Sequence, residues 1–384
     1  MSSPSLMRKI IFHLTLYFSI LACTLVLAEA VLRISGRVTT QGVHTASEED
    51  FHRIPGMFEP RQNVVERPRR ELSHRVSINS LGFRGPDIRR EKPPGIVRIF
   101  CIGDSVTYGD FVNDDETFAS YLQDVFVEDK IPVEVINGGV GGTTIIDQLY
   151  FLKKGIEINP DIVLLTFSEN DIDDLHRSEP MYVSLERNRQ IKSTRIIGPM
   201  YRMFRNTALF NFGLLLRSIY LERVTQEEIA GKRSEVDRTG EVDREDPWRR
   251  YEELFKEMKA YVENYGIQFV FSIFPGHYRI EGESAVERAA VDRLERAERL
   301  GRESGVATLN LLSALKRANM PPNKLYLLPY DGHPSKAAYS IVANAIFEQV
   351  EGKVREILVA KRRAMREAID GKEAVSIFVL PAAR

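Results

Sequence analysis

Ile96-Val97-Arg98-Ile99-Phe100-Cys101-Ile102-Gly103-Asp104-Ser105-Val106 is the stretch on which the fold turns. Its first seven residues form an apolar run broken only by Arg98. That is the pattern of a strand buried on both faces of a parallel sheet. Gly-Asp-Ser-Val follows at once, and an acid and a serine at the carboxyl end of such a strand stand where an open α/β sheet keeps its chemistry. A serine at the strand-to-helix junction offers a hydroxyl nucleophile and a backbone N–H aimed into the same crevice. Alone, Gly-Asp-Ser is also an ordinary turn, and its weight comes from what lies downstream.

Three segments follow in order. Asn137-Gly138-Gly139-Val140-Gly141-Gly142-Thr143-Thr144 comes after the apolar stretch Ile131–Ile136. Its glycines let backbone amides approach a ligand closely, because no Cβ intervenes. The spacing fits neither a dinucleotide fingerprint nor a P-loop lysine motif, which argues against phosphate cradling. Ser168-Glu169-Asn170-Asp171 follows the strand-like run Asp161–Thr166. An Asn carboxamide at a strand's end can donate to a developing oxyanion. Asp331-Gly332-His333-Pro334 precedes a helical stretch and supplies a base together with a carboxylate to orient it. Of the seven histidines, His13, His44 and His52 lie in or beside an apolar amino-terminal segment. His74, His176 and His277 have no comparable acid-Gly-His-Pro context.

Together the four segments resemble the SGNH (GDSL) hydrolase family, whose four blocks map onto Ser105, Gly139, Asn170 and His333, with Asp331 as the third member of a triad. The resemblance covers roughly residues 96–350, and Ile78-Asn79-Ser80-Leu81-Gly82-Phe83-Arg84-Gly85 looks like the segment preceding the domain in membrane-attached bacterial members. Two departures stand out: Ser168 replaces the glycine of Gly-x-Asn-Asp, and the last pair reads Asp-x-His where the family often has Asp-x-x-His. The resemblance implies acyl transfer by serine. Ser105 attacks an ester carbonyl, His333 moves the proton and Asp331 holds the imidazole. The amides of Ser105 and Gly139 and the Asn170 side chain receive the oxyanion. Asp104 is expected to be structural. Water as acceptor gives an esterase and a sugar hydroxyl gives an O-acetyltransferase, with acylated small molecules or cell-surface polysaccharide as substrate. A transferase facing outward needs an acyl donor delivered by a membrane partner, so hydrolysis ranks first. A rival of another class is a non-catalytic scaffold or glycan-binding protein, which Ser168 and the neighbouring Glu169 carboxylate favour.

A chain of 384 residues with 43% hydrophobic content can bury a sizeable core. A formal charge of −1 gives no reason to expect a nucleic-acid partner. Cys23 and Cys101 are placed too differently to pair, and no His cluster joins them in a metal site. No cofactor is implied. Arg8 and Lys9 precede an apolar run from Ile10 to Ala28, long enough to cross a bilayer, which needs about 20 residues. The flanking charges favour a single-pass anchor with the domain on the periplasmic or extracellular side. A cleaved signal peptide ending near Ala28-Glu29-Ala30 is the alternative.

The expected organisation is a transmembrane segment at 1–35 and a juxtamembrane linker and arm at 36–95. A hydrolase-like domain follows at 96–352, with a helical insertion at 172–246, and a basic extension at 353–384. From Ile96 onward strands alternate with helical patterns: Thr117–Val127, Ile145–Gly155, Gln268–Phe274, Pro247–Tyr265, Ala285–Ser304, Val306–Leu309 and Ser335–Val350. This alternation predicts a flavodoxin-like doubly wound sheet of five parallel strands, the α/β fold that the resemblance also implies. The run Arg89-Arg90-Glu91-Lys92 reads as a solvated turn. The insertion reads mainly as a helical subdomain packing its own apolar face, or else as a lid or acyl-binding wall beside Asn170. The basic residues after Gly352 either extend the last helix or lie on anionic lipid.

Overall fold

The computed structural model describes residues 4–35, 43–44, 55–66, 71–175, 179–192, 194–204, 207–214, 216–217, 220, 223, 247–281 and 285–377. The polar half of the insertion, 225–246, and most of 36–54 lie outside these residues. Strands β4 (Val97–Ile102), β5 (Val133–Asn137), β6 (Ile162–Ser168), β7 (Gln268–Phe274) and β8 (Ala307–Asn310) form one sheet in the order β5-β4-β6-β7-β8. Every neighbouring pair is parallel. The chain leaves β4 first to β5 on one side, then crosses to the middle strand β6 on the other. The carboxyl end of β4 is therefore a topological switch point, where open α/β sheets open a crevice.

Strand periodicity explains why helices cover both faces. Phe100 and Ile102 of β4, Val163, Leu165 and Phe167 of β6, and Phe269, Phe271 and Ile273 of β7 share one core. Helices Ile145–Gly155, Pro247–Asn264 and Ala285–Glu303 contribute to it through Leu149, Tyr251, Phe255 and Leu300. The alternate residues Ile99, Cys101, Leu164 and Val270 point the other way. They meet Phe118, Leu122, Tyr339 and Val342 of helices Phe118–Glu128 and Lys336–Ile377. The predicted doubly wound five-stranded sheet is thus observed, with element ends within about two residues of those read from the pattern, except for the last helix, which runs past Val350 to Ile377. Local signals set these ends: Thr117 caps Ser120 N at 3.2 Å, and Asp147 accepts from Thr144 N at 3.0 Å.

Two segments flanking the sheet make contacts with it. Arg98, fully buried on β4, donates to Glu134 at 2.7 Å, to the Ile158 and Arg90 carbonyls at 2.6 and 2.9 Å, and to the Arg89 carbonyl. The turn is solvated as expected, with Arg89, Arg90 and Glu91 exposed, while its Arg89 and Arg90 carbonyls accept from the buried cation. Its Lys92 also pairs with Asp161 at 2.9 Å. The last helix runs on from Lys336 to Ile377. Its buried Val354 and Leu358, and Lys361 on Asp161 at 2.7 Å, pack the start of the basic stretch onto the amino-terminal edge of the sheet.

A second, antiparallel sheet precedes the domain, formed by β1 (Val43–His44), β2 (Arg61–Glu66) and β3 (His74–Ile78). Arg84 then bridges β3 to β5, pairing with Ile78 and Asn137. At the amino end, Pro4–Ser35 is a single exposed helix, and its stretch Met7–Ser35 is long and apolar enough to cross a membrane.

Candidate active site

Ser105 opens a one-turn helix, Ser105–Tyr108, directly after β4. Asp104 caps it, accepting from Val106 N at 2.9 Å. Gly103 is required by close approach: a Cβ there would stand 2.1 Å from the Thr107 hydroxyl oxygen. His333 arrives from the loop before the last helix. Its Nε2 lies 2.8 Å from Ser105 Oγ, and its Nδ1 lies 2.5 Å from Asp331 Oδ1. The same Asp331 oxygen accepts the His333 backbone N–H at 2.9 Å. The short Asp-x-His spacing lets one carboxylate fix both the ring and the backbone of the histidine that follows it. The hydrogen bonds assign Nδ1–H as donor to Asp331 and Nε2 as acceptor from the serine.

Burial opposes a positive charge on His333, but the Asp331 hydrogen bond and the carboxylates of Asp110, Asp331 and Asp104 outweigh it and raise its pKa. Asp110 is a carboxylate that the sequence reading missed. Its Oδ2 lies 4.0 Å from His333 Nε2, on the side that faces the serine. Burial pushes its pKa up to about 6, with the charge of His333 holding it back. Beside it, Phe111 meets the His333 ring edge-on at 5.1 Å. Phe111 has φ of 68°, a left-handed conformation that disfavours an L-residue by roughly 1–2 kcal/mol.

Arg84 holds that loop in place. The buried guanidinium donates to the Tyr108, Gly109 and Val112 carbonyls at 2.9, 2.6 and 2.6 Å and to Asp114 at 2.9 Å. The arm before the domain is thus part of the frame that carries the nucleophile. Asp110 and Arg84 sit in no recognisable motif. The only sequence signal was the Phe83-Arg84-Gly85 segment, which says nothing of its target.

The third block joins the first through Asp104. That fully buried carboxylate accepts from Ser168 Oγ at 3.1 Å and from Asn170 Nδ2 at 3.3 Å. Burial raises its pKa, and these hydrogen bonds pull it back. Ser168 therefore fits in place of glycine because its hydroxyl finds a partner there. Glu169 turns away from any oxyanion, as Arg279 binds it through two nitrogens at 3.0 and 2.9 Å and Tyr278 donates to it at 2.5 Å. The charge that favoured a non-catalytic scaffold is neutralised inside the protein.

Ser105, Asn170, Asp331 and His333 line one cleft of ≈ 310 Å³, walled by Phe274, Tyr278 and Tyr326. Asn170 has both amide hydrogens committed, to Asp104 and to Asp174 at 3.2 Å. Gly139 requires a correction. Its amide donates to Asn137 Oδ1 at 3.0 Å, and a Cβ there would stand 2.2 Å from Tyr108 N. It is packed beneath the nucleophile helix and lines a separate crevice with Phe58 and Phe151. The glycine that adjoins Ser105 is Gly141, whose Cβ position lies 3.8 Å from Ser105 Cβ and 3.3 Å from Asp110 Oδ2. Among its described residues the insertion contributes nothing to this cleft. Tyr182 instead stacks on Tyr150 at 4.3 Å, and Arg189 donates to the Gly56 carbonyl at 2.7 Å. No cluster able to hold a metal ion occurs among the described residues.

The fold and the cleft are those of an α/β hydrolase acting on ester bonds. The chain belongs to the GDSL-like lipase/acylhydrolase family, whose model matches residues 101–341. Similar solved structures include an alpha/beta hydrolase enzyme from the metagenome of Lake Arreo, Spain, at 15% identity and TM-score 0.42, covering 66% of this chain and 95% of that one. Another is an acetylxylan esterase from Geobacillus stearothermophilus, at 12% identity and TM-score 0.41, covering 66% of this chain and 94% of that one. No curated protein matches the sequence significantly.

Proposed function

We propose that the protein is a serine esterase that removes short acyl groups, acetyl foremost, from carbohydrate, and that Met7–Ser35 anchors it with the domain outside the cytoplasm. The unbroken line from Ser105 through His333 to Asp331 carries this reading. Ser105 Oγ attacks the ester carbonyl as its proton passes to His333 Nε2. The imidazolium, stabilised by Asp331, returns the proton to the leaving alcohol. Water repeats the sequence to free the acid. The Ser105 amide, an amide of the glycine loop beside it and the Asn170 carboxamide are assigned to receive the oxygen that becomes negative. Asn170 serves by releasing one of its two carboxylate partners. The ≈ 310 Å³ cleft and its aromatic walls suit a short acyl chain. The carbohydrate assignment rests on the family resemblance together with the anchor.

The test is product analysis with an acetylated sugar and a competing acceptor sugar. Free acetate with an unmodified acceptor is expected. Acetyl appearing on the acceptor would identify an O-acetyltransferase using the same residues, with a membrane partner as the source of its donor.

The pH profile follows from the carboxylates around His333. The base must be neutral, so kcat/KM rises with pH through a pKa lying above the ordinary histidine value. Asp110→Asn removes one of the negative charges that raise it. The acid limb of the profile is therefore expected to move to lower pH, as measured with an aryl acetate. An unmoved limb would show that Asp110 does not act on His333.

A further inference from the structure

The insertion presents an apolar face that nothing among the described residues covers. In helix Ile197–Phe204, Ile197, Met200, Met203 and Phe204 are 41–64% exposed, and Ile196 just before it is 73% exposed. Their spacing of three and four residues puts them on one side of the helix. Tyr201 borders this face, packing on Phe210 at 5.7 Å and reaching Glu59 at 3.3 Å. A patch of this kind on a soluble protein marks an interaction surface.

The position of the patch identifies its occupant. Glu29 is the first charge after the apolar run of the amino-terminal helix, so it marks where that helix leaves a bilayer. Its carboxylate accepts the backbone N–H groups of Ala208 and Leu209, both at 2.8 Å. Phe210, one residue on, is the ring on which Tyr201 packs. The exit of the anchor is therefore joined through two short contacts to the helix bearing the apolar face. Arg33, paired with Glu29 at 2.6 Å, adds a cation at this junction.

We propose that this face lies in the headgroup layer of the bilayer that the amino-terminal helix enters, making the insertion a second, monotopic membrane contact. It rests on the anchor reading proposed above. One helix alone leaves a domain free to swing and rotate. A second contact fixes which way the Ser105 cleft faces over the lipid and restricts the enzyme to acylated chains close to the membrane.

The full chain, in nanodiscs that hold one copy each, tests this with a fluorophore on single cysteines and quencher lipids spin-labelled near the headgroup or deep in the acyl chain. Native Cys23 reports the anchor. Met200→Cys and Met203→Cys report the patch, and Glu356→Cys on an exposed face of the last helix is the control, all three with Cys23→Ser; buried Cys101 stays unlabelled. Aryl acetate turnover verifies that each labelled chain is folded. The expected result is deep quenching at Cys23, shallow quenching to about half the emission at 200 and 203, and none at 356. Quenching at Cys23 with none at 200 and 203 would overturn the membrane contact while leaving the anchor standing. No quenching at Cys23 would remove the anchor and the proposal with it. Shielding of 200 and 203 only in discs loaded with two copies would assign the face to a second chain.

Discussion

Ser105→Ala should reduce kcat for an aryl acetate by a factor on the order of 10⁶, about 8 kcal/mol of barrier, with little change in KM. The substitution takes away the bond-forming atom. It leaves the cap of the helix in place, because Asp104 holds it through the Val106 amide. Among the described residues the Ser105 oxygen bonds to His333 alone. Folding is therefore expected to survive, with an unchanged unfolding midpoint, and the loss can be assigned to chemistry. A variant that keeps more than a hundredth of the activity would place the nucleophile elsewhere.

Asp331→Asn is expected to lower kcat by roughly 10⁴, again with KM nearly constant. Asp331 accepts from the ring Nδ1 and from the backbone of His333 through one oxygen. An amide of the same shape keeps the backbone contact only while its oxygen stays in that place. It cannot stabilise the imidazolium, and an –NH₂ turned toward the ring selects the tautomer that presents a hydrogen, not a lone pair, to Ser105. The acid limb should also move to lower pH, because Asp331 is one of the groups that raises the His333 pKa. The two variants differ in a second readout. Ser105→Ala abolishes covalent labelling, whereas Asp331→Asn slows it.

The sheet was legible because its strands are buried on both faces. Runs such as Ile162–Ser168 carry no polar face to confuse them with amphipathic helix, and Pro or Gly punctuates their ends. Ser105, Asn170, Asp331 and His333 were legible for a topological reason: each follows a strand or loop at the carboxyl edge, and parallel strands bring those ends together. The register within the glycine loop was not. Four glycines in Gly138–Gly142 are equivalent as letters, and only the turn decides that Gly141 meets Ser105 while Gly139 is held by Asn137.

Arg84 and Asp110 were hidden for another reason. Arg84 works through carbonyls of Tyr108, Gly109 and Val112, and carbonyls are the same in every residue, so no side-chain pattern marks the partner. Ser168 shows the converse. It departs from the family letter, yet its hydroxyl binds Asp104, a compensation visible only once both strand ends are seen together. The Arg89–Lys92 turn is exposed as its charges indicated, but the use of its carbonyls by the buried Arg98 leaves no mark in the sequence.

The central claim is that an imidazole more than two hundred positions away in the sequence turns the Ser105 hydroxyl into a nucleophile. Incubating the full chain with a fluorophosphonate at neutral pH and mapping the adduct by peptide mass spectrometry tests it most directly. One adduct on the peptide bearing Ser105, formed far more slowly in His333→Ala, is the predicted result. A folded wild-type chain that takes up no label at Ser105, or takes it up equally fast without the histidine, would contradict it.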